Sequence, residues 1–212
     1  MPSDLDLRER RDLADLFTAL GPDAPTLCGD WTTADLAAHL VVRERDLIGA
    51  PGILIPALGG VTEGRMRREL DRHGYEGTVD RVRTGPPIGP MRIPAVRHAT
   101  NLIEYFVHHE DVRRANGEGR REDRPDLDAE LWDVLGRFAP LMVRKARLRD
   151  AHLRLVTPDG TQRTVGSGGA EVAMTGPVSE IVLELYGRRS VAGVELAGPA
   201  DAVAAVRAAE FG

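Results

Sequence analysis

Cysteine is nearly absent from this chain of 212 residues, in which Cys28 is the only one. A single cysteine excludes an intrachain disulfide and a zinc site built from several thiolates. Histidine and carboxylate side chains are then the ligands that remain for a metal ion. The expected role of Cys28 itself is packing at the entrance of the helix that follows it.

Aromatic residues make up only 4% of the chain, and the sequence contains no long apolar run. The hydrophobic fraction of 42% is enough for one good core and a small second one. No apolar stretch approaches the roughly 20 residues that span a bilayer, and the acidic start lacks the basic and apolar regions of a signal peptide. We therefore expect a soluble, cytoplasmic protein with no membrane partner.

Lysine is also scarce. Lys145 is the only lysine, and the other residues in the Lys and Arg total are arginine. The net charge is −5, and no basic stripe with interleaved aromatic residues is present. Such a stripe is typical of proteins that follow a nucleic-acid backbone. The densest basic cluster, residues 120–124, mixes both signs and is typical of a solvated loop. We expect no nucleic-acid partner.

The segment 101–115 has the spacing of a helix that turns a carboxylate and an imidazole toward the core. At about 100° per residue, Glu104 and His108 lie roughly 40° apart on the helical wheel and one turn apart along the axis. Asp111 continues this stripe, whereas His109 falls on the opposite face and is expected at the surface. The apolar residues that flank the stripe are Ile103, Tyr105, Val107 and Val112.

A buried carboxylate needs a partner, because an unpaired one costs several kcal/mol. A divalent cation would explain Glu104 and His108 together, although a hydrogen-bonded pair one turn apart would also satisfy them. Asp111 has two possible roles. It could accept a hydrogen bond from a ligand imidazole and orient it, or it could pair with Arg114 at the surface.

A third candidate ligand, His39, lies in an earlier helix. Thr32 is a typical N-cap with Asp35 at the third helical position, so a helix starts here. His39 follows two turns later at the rim of an apolar stripe, where it could face a cleft or be a satisfied rim histidine. With the Glu-x3-His pair it would supply two nitrogens and one oxygen, as in open catalytic zinc sites.

Apolar periodicity and turn signals predict an α+β fold with two domains. Residues 1–148 are expected to form a helical bundle and residues 149–212 a small α/β domain. The bundle helices are predicted at 5–20, 33–48, a third ending at 117, and 127–147, with weaker pieces at 62–72 and 78–83. The α/β domain is predicted to contain strands at 152–157, 162–165, 170–174 and 194–196, with helices at 177–186 and 200–209.

Two stretches carry a family resemblance: Leu-Cys-Gly-Asp-Trp leading to Ala-Ala-His39, and Glu104-Tyr-Phe-Val-His108-His-Glu-Asp111. Together they resemble the metal-binding domain of the mycothiol-dependent maleylpyruvate isomerase family, within the DinB-like superfamily. The resemblance covers roughly the first two-thirds of the chain. It implies a DinB-like four-helix bundle that holds a divalent metal through His39, Glu104 and His108.

The resemblance also implies that the last part of the chain is a sterol-carrier-like domain that supplies a substrate-binding arginine. Arg188 is the nearest candidate, although Arg188 and Arg189 could simply end a helix. The implied activity is metal-dependent use of a low-molecular-weight thiol, mycothiol, for transfer to or isomerisation of a small electrophilic substrate.

Zinc suits two nitrogens and one oxygen, and nickel, iron or manganese could occupy the same ligands. A non-catalytic module with a structural ion is the alternative function. A carrier of small apolar ligands is a third.

Overall fold

The computed structural model describes residues 4–46, 59–89, 92–122 and 124–211. It has an α+β fold, in which a helical N-terminal part is followed by a mixed sheet with helices. The chain divides into two compact units, Met1–Arg120 and Arg121–Gly212. Across the described ranges, no helix combines the length and the apolar character needed to cross a membrane.

The first unit is helical. Its described helices are α1 (Leu5–Leu20), α2 (Thr33–Arg45), α3 (Gly59–Thr84) and α4 (Pro94–Ala115). α2 packs against α3, and α1 packs against both α3 and α4. The shared core is built from the apolar stripes of these helices, among them Leu13, Phe17, Leu36, Leu40, Val79, Tyr105 and Val112.

The start of α2 confirms the predicted cap. Thr32 accepts a hydrogen bond from the backbone N–H of Asp35, and the Asp35 carboxylate accepts one from the backbone N–H of Thr32. This capping box fixes the direction in which the chain enters α2 and so fixes where His39 points. The predicted end of this helix near residue 48 lies outside the described residues.

α3 joins the two weaker helical pieces that the sequence predicts at 62–72 and 78–83. Gly74 separates them, because its backbone has a φ of 63° and a ψ of 178°, which a helix cannot contain. Glycine reaches this conformation without the steric penalty of a Cβ atom. Beyond the kink, the Tyr75 hydroxyl donates to the carbonyl oxygens of Phe17 and Gly21 at 2.7 and 3.0 Å, which ties α3 to the end of α1.

The helix predicted at 127–147 is present as α5 (Pro125–Lys145), but it belongs to the second unit. The units divide between residues 120 and 121, whereas the sequence predicts a boundary at 148. α5 contacts strand β2, where the Arg163 guanidinium lies 4.6 Å from the centre of the Trp132 ring and donates to the Trp132 carbonyl oxygen. Helical periodicity reveals that α5 buries one face, but it does not reveal which partner covers that face.

The second unit adds strands β1 (Ala151–Val156), β2 (Gln162–Val165), β3 (Ala170–Thr175) and β4 (Glu195–Ala197). They form a sheet of order β2-β1-β3-β4, in which β1 and β3 are parallel and the other pairs are antiparallel. Helices α6 (Val178–Leu185) and α7 (Ala200–Ala208) complete the unit. β1 alternates buried and half-buried residues, which fits a strand with one face on the core.

Candidate metal centre

Helices α2 and α4 bring together the three residues predicted as ligands. Nε2 of His108 lies 3.3 Å from Oε1 of Glu104, as expected for residues one helical turn apart. Nε2 of His39, which reaches across from α2, lies 3.7 Å from the same oxygen. The ligand atoms of His39, Glu104 and His108 all lie within 4.8 Å of one another, so these residues form a candidate metal-binding group.

The spacing of these atoms fits a metal ion. Ligands about 2.1 Å from a tetrahedral ion are about 3.4 Å apart. The observed separations of 3.3 and 3.7 Å from Glu104 Oε1 lie on either side of that value. An ion could therefore be accommodated with small side-chain movements.

The group lies at the edge of the buried interior. The His39 and His108 side chains are 8% and 11% exposed, whereas the Glu104 side chain is 23% exposed. The Trp31 ring packs beside His39, with ring centres 5.1 Å apart, and the two imidazoles are 5.3 Å apart. The partial exposure of Glu104 leaves one side on which a further small ligand could approach.

Burial and the neighbouring opposite charges shift the pKa of each of the three residues in opposite directions. Burial lowers the pKa of His39, despite the nearby Glu104 carboxylate. Burial alone would raise the pKa of Glu104, but the Arg43 guanidinium and the two imidazoles together hold that pKa well below its usual range. Burial alone would lower the pKa of His108, but the carboxylates of Asp111 and Glu104 hold it well above its ordinary value. The site is therefore a strongly coupled set of charges.

Arg43 also belongs to this site, although it was not predicted from the sequence. Its Nε lies 3.1 Å from Glu104 Oε1, and its two terminal nitrogens donate to Asn101 Oδ1 and the Thr100 carbonyl oxygen, each at 2.8 Å. The signal that could have found it is spacing, since Arg43 follows His39 by one turn of α2. Because the two terminal nitrogens are held by Asn101 and Thr100, the guanidinium is fixed and in turn fixes the position of the Glu104 carboxylate.

Asp111 and Cys28 lie on the other side of the His108 ring. Asp111 Oδ2 is 2.9 Å from His108 Nδ1, and the Cys28 thiol donates to the same oxygen at 3.1 Å. Cys28 is held there because the neighbouring Leu27 N–H donates to the backbone oxygen of Asp111 at 3.2 Å. The Cys28 side chain packs on the helical core as expected.

Cys28, His108 and Asp111 also form a second candidate metal-binding group. The expectation that only histidine and carboxylate ligands are available is therefore corrected.

His109 is buried, and the prediction that it lies at the surface is wrong. Its side chain is 8% exposed, and Nδ1 lies 3.0 Å from Glu9 Oε2 on α1. The face of α4 opposite the candidate ligands is covered by α1, so α4 is buried on two sides. Glu110 on this helix accepts a hydrogen bond from Arg114 Nε at 2.8 Å.

Arg188 lies at the end of α6, as one of the two sequence interpretations expects. Gly187 has a φ of 81°, and the N–H of Arg188 donates to the Leu183 carbonyl oxygen at 2.8 Å. These features are those of a Schellman motif, in which glycine adopts the left-handed conformation after the last helical turn. The Arg188 side chain donates to the Tyr186 carbonyl oxygen at 2.6 Å.

The described structure thus defines a helical unit with a candidate His-Glu-His metal group, followed by an α/β unit. Residues 7–72 match the family of the mycothiol maleylpyruvate isomerase N-terminal domain. This match confirms the family resemblance over a stretch that contains His39 and Arg43 and ends before Glu104. No curated protein and no solved structure matches the chain.

Proposed function

We propose that the chain is a metal- and thiol-dependent enzyme whose ion is held by His39, Glu104 and His108. The proposal rests above all on one observation: two imidazole nitrogens from different helices converge on a single carboxylate oxygen at 3.7 and 3.3 Å. Zinc is the proposed ion, because two nitrogens and one oxygen with an open position form its usual catalytic set. Nickel, iron and manganese bind the same ligand types.

An ion at this position would lower the pKa of a coordinated thiol and so provide a nucleophile near neutral pH. The residues of the chain hold the ligands ready for it. Asp111 accepts from His108 Nδ1, which directs Nε2 toward Glu104. Arg43 holds the same Glu104 oxygen through its 3.1 Å contact at Oε1. The exposed side of Glu104 is where the thiol and a small electrophile would enter.

Mycothiol is the proposed thiol, and transfer to or isomerisation of the electrophile is the proposed reaction. Both come from the match of residues 7–72 to the mycothiol maleylpyruvate isomerase N-terminal domain. By the same resemblance we infer a DinB-like bundle and a sterol-carrier-like second unit. Arg188 is the proposed binding residue for a substrate carboxylate, which a guanidinium can hold with two parallel hydrogen bonds.

A structural ion that only fastens α2 to α4 is the alternative. The placement of the ligands supports this alternative, because an ion held by His39 on α2 and by Glu104 and His108 on α4 would join the same two helices that Arg43 joins. In that case a metal would add stability but no thiol would bind to it.

Metal analysis followed by calorimetric titration with thiols tests the proposal. The untreated protein should contain about one divalent ion per chain, and His39→Ala should lose it, whereas His152→Ala in the second unit should retain it. Mycothiol should bind to the metal-loaded protein more tightly than glutathione or bacillithiol, and not to His39→Ala. Retained metal without any binding of thiol at millimolar concentration would establish the structural alternative.

A further inference from the structure

The imidazole of His108 has candidate ligands at both of its nitrogens. Nε2 faces Glu104 and His39, whereas Nδ1 lies 2.9 Å from Asp111 Oδ2 and 3.7 Å from Cys28 Sγ. Cys28 Sγ and Asp111 Oδ2 are themselves 3.1 Å apart. A tetrahedral zinc ion with one sulfur, one nitrogen and one oxygen ligand has ligand separations of about 3.4 to 3.6 Å, and the larger Cd²⁺ ion needs somewhat wider ones. Each observed separation is therefore within about half an ångström of the zinc values.

We propose that Cys28, His108 Nδ1 and Asp111 form a second, alternative site for a thiophilic divalent ion such as Cd²⁺. Thiolate is the soft ligand that such ions prefer, and the site on the opposite nitrogen has no sulfur. Asp111 is fully buried and His108 nearly so, whereas Cys28 is only partly buried. An ion can therefore reach the site from the side of Cys28 and meet ligands that are already in place.

The two ion positions exclude one another because they share one imidazole. A neutral imidazole has one lone pair and one N–H. When Nδ1 donates to Asp111, the lone pair is on Nε2 and faces Glu104. For an ion to bind at Nδ1, the ring proton must move to Nε2, where Glu104 Oε1 at 3.3 Å can accept it. The Cys28 thiol must lose its proton to solvent, so binding releases one proton from the chain when the His108 ring is neutral and two when the ring is protonated.

The site on the Cys28 side of the ring does not require the proposed enzyme activity. In any spectroscopic test of that activity, a thiolate-to-metal signal can therefore arise from the protein itself. Cys28 is the only cysteine, so such a signal without added thiol has a single possible source in the chain.

Titration with Cd²⁺ in the absence of added thiol tests the proposal. The full chain is freed of metal, and the thiolate-to-cadmium absorption in the ultraviolet is followed together with the amount of bound ion. The wild-type protein should develop the band and reach its plateau at one equivalent. Cys28→Ser should show no band but still bind one ion, through His39, Glu104 and His108. His39→Gln should keep the band at full amplitude.

Other outcomes would overturn the proposal. A wild-type protein without the band, or a Cys28→Ser variant that retains it, would show that Cys28 is not a ligand. Two ions bound per chain at saturation would disprove the claim that the two ion positions exclude one another. A separate measurement is the rate at which iodoacetamide modifies Cys28. In the His39→Gln variant, one equivalent of Cd²⁺ should slow this reaction at least tenfold. An unchanged rate would also count against the site. If zinc binding is unchanged when His39→Gln is combined with Cys28→Ser, the proposed enzyme site fails, and the cadmium result for the Cys28 site stands or falls independently.

Discussion

Arg43 Nε lies 3.1 Å from Glu104 Oε1, the same oxygen that faces both imidazoles of the candidate metal group. A guanidinium and a metal ion would thus share one carboxylate oxygen. Without the ion, Arg43 is the main neutraliser of Glu104 and a direct link between α2 and α4. With an ion bound, the metal would neutralise part of the Glu104 charge and would also link α2 to α4.

The first prediction concerns this shared oxygen. Arg43→Met should lower the free energy of unfolding of the metal-free protein by about 2 kcal/mol, because it leaves Glu104 without its closest cation and breaks contacts to Asn101 and Thr100. The loss should be smaller in the metal-loaded protein. Urea denaturation with and without zinc measures both values. Arg65→Met, which removes a partly exposed pair with Asp46, is the matched control and should cost less than 1 kcal/mol in either state. An equal loss in both states would mean that no ion reaches Glu104.

The second prediction identifies the ligands. In a Cys28→Ser background, which removes the second candidate site, His39→Ala, Glu104→Ala and His108→Ala should each lose the metal, measured by elemental analysis. Since a ligand at 100 times its dissociation constant adds about 2.7 kcal/mol, zinc should raise the melting temperature of the wild type and not of these variants. His109→Ala should keep the metal but melt at a lower temperature, because it leaves the buried Glu9 carboxylate without its 3.0 Å partner. Loss of metal in His109→Ala with retention in His108→Ala would reverse the assignment.

Much of this site could be predicted from the sequence, because its components are local. The spacing from Glu104 to His108 and the capping box at Thr32 depend on helix geometry alone. The burial of His109 and the thiol contact of Cys28 could not be predicted, since each depends on what packs against α4: α1 on one face and the segment before α2 on the other. The same limit applies to α5. Its periodicity is clear, but which elements pack against it depends on contacts that are distant in sequence.

The third prediction is a pH dependence with a definite sign. In the metal-free protein the pKa of His108 is raised above its ordinary value of 6.5, because the hydrogen bond to Asp111 and the Glu104 carboxylate outweigh burial. Protonated His108 therefore stabilises the metal-free fold fully below pH 6.5, and that contribution is lost as the pH rises through the raised pKa. Metal needs the neutral ring, so zinc affinity should increase over the same interval as the pH rises.

Asp111→Asn tests the cause of that shift. The variant removes the acceptor charge at Nδ1, so the pKa of His108 should fall and the rise in zinc affinity should begin at lower pH. At high pH its zinc affinity should nevertheless be about 10- to 100-fold weaker, because the imidazole has lost the carboxylate that orients it. Calorimetry across pH 5 to 9 in two buffers of different ionisation enthalpy gives both affinity and proton release. An unchanged pH profile would show that Asp111 does not control His108.

The fourth prediction concerns the boundary between the units. A chain that ends at Arg120 contains every candidate ligand and the whole first unit, so it should fold and bind metal. A chain that ends at Arg149 carries α5 without the strand and helix that cover it, which exposes buried residues such as Leu131 and Leu135. It should therefore be less soluble than the shorter chain. Sedimentation and circular dichroism compare the two. Better behaviour of the longer chain would support the boundary near 148.

The last prediction tests thiol activation in a background that removes the chain's own thiol. The cobalt-substituted Cys28→Ser protein should have no sulfur-to-metal charge-transfer band until mycothiol is added, and it should then develop one. Arg188→Ala in this background should leave the thiol response intact but weaken the effect of an acidic substrate about tenfold or more, because a guanidinium binds a carboxylate and not the metal. Arg189→Ala is the structural control, since Arg189 donates to Glu184 and to the carbonyl oxygens of Val206 and Ala209. It should lower stability without this selectivity. If no low-molecular-weight thiol changes the cobalt spectrum at millimolar concentration, the ion is structural and the enzyme proposal fails.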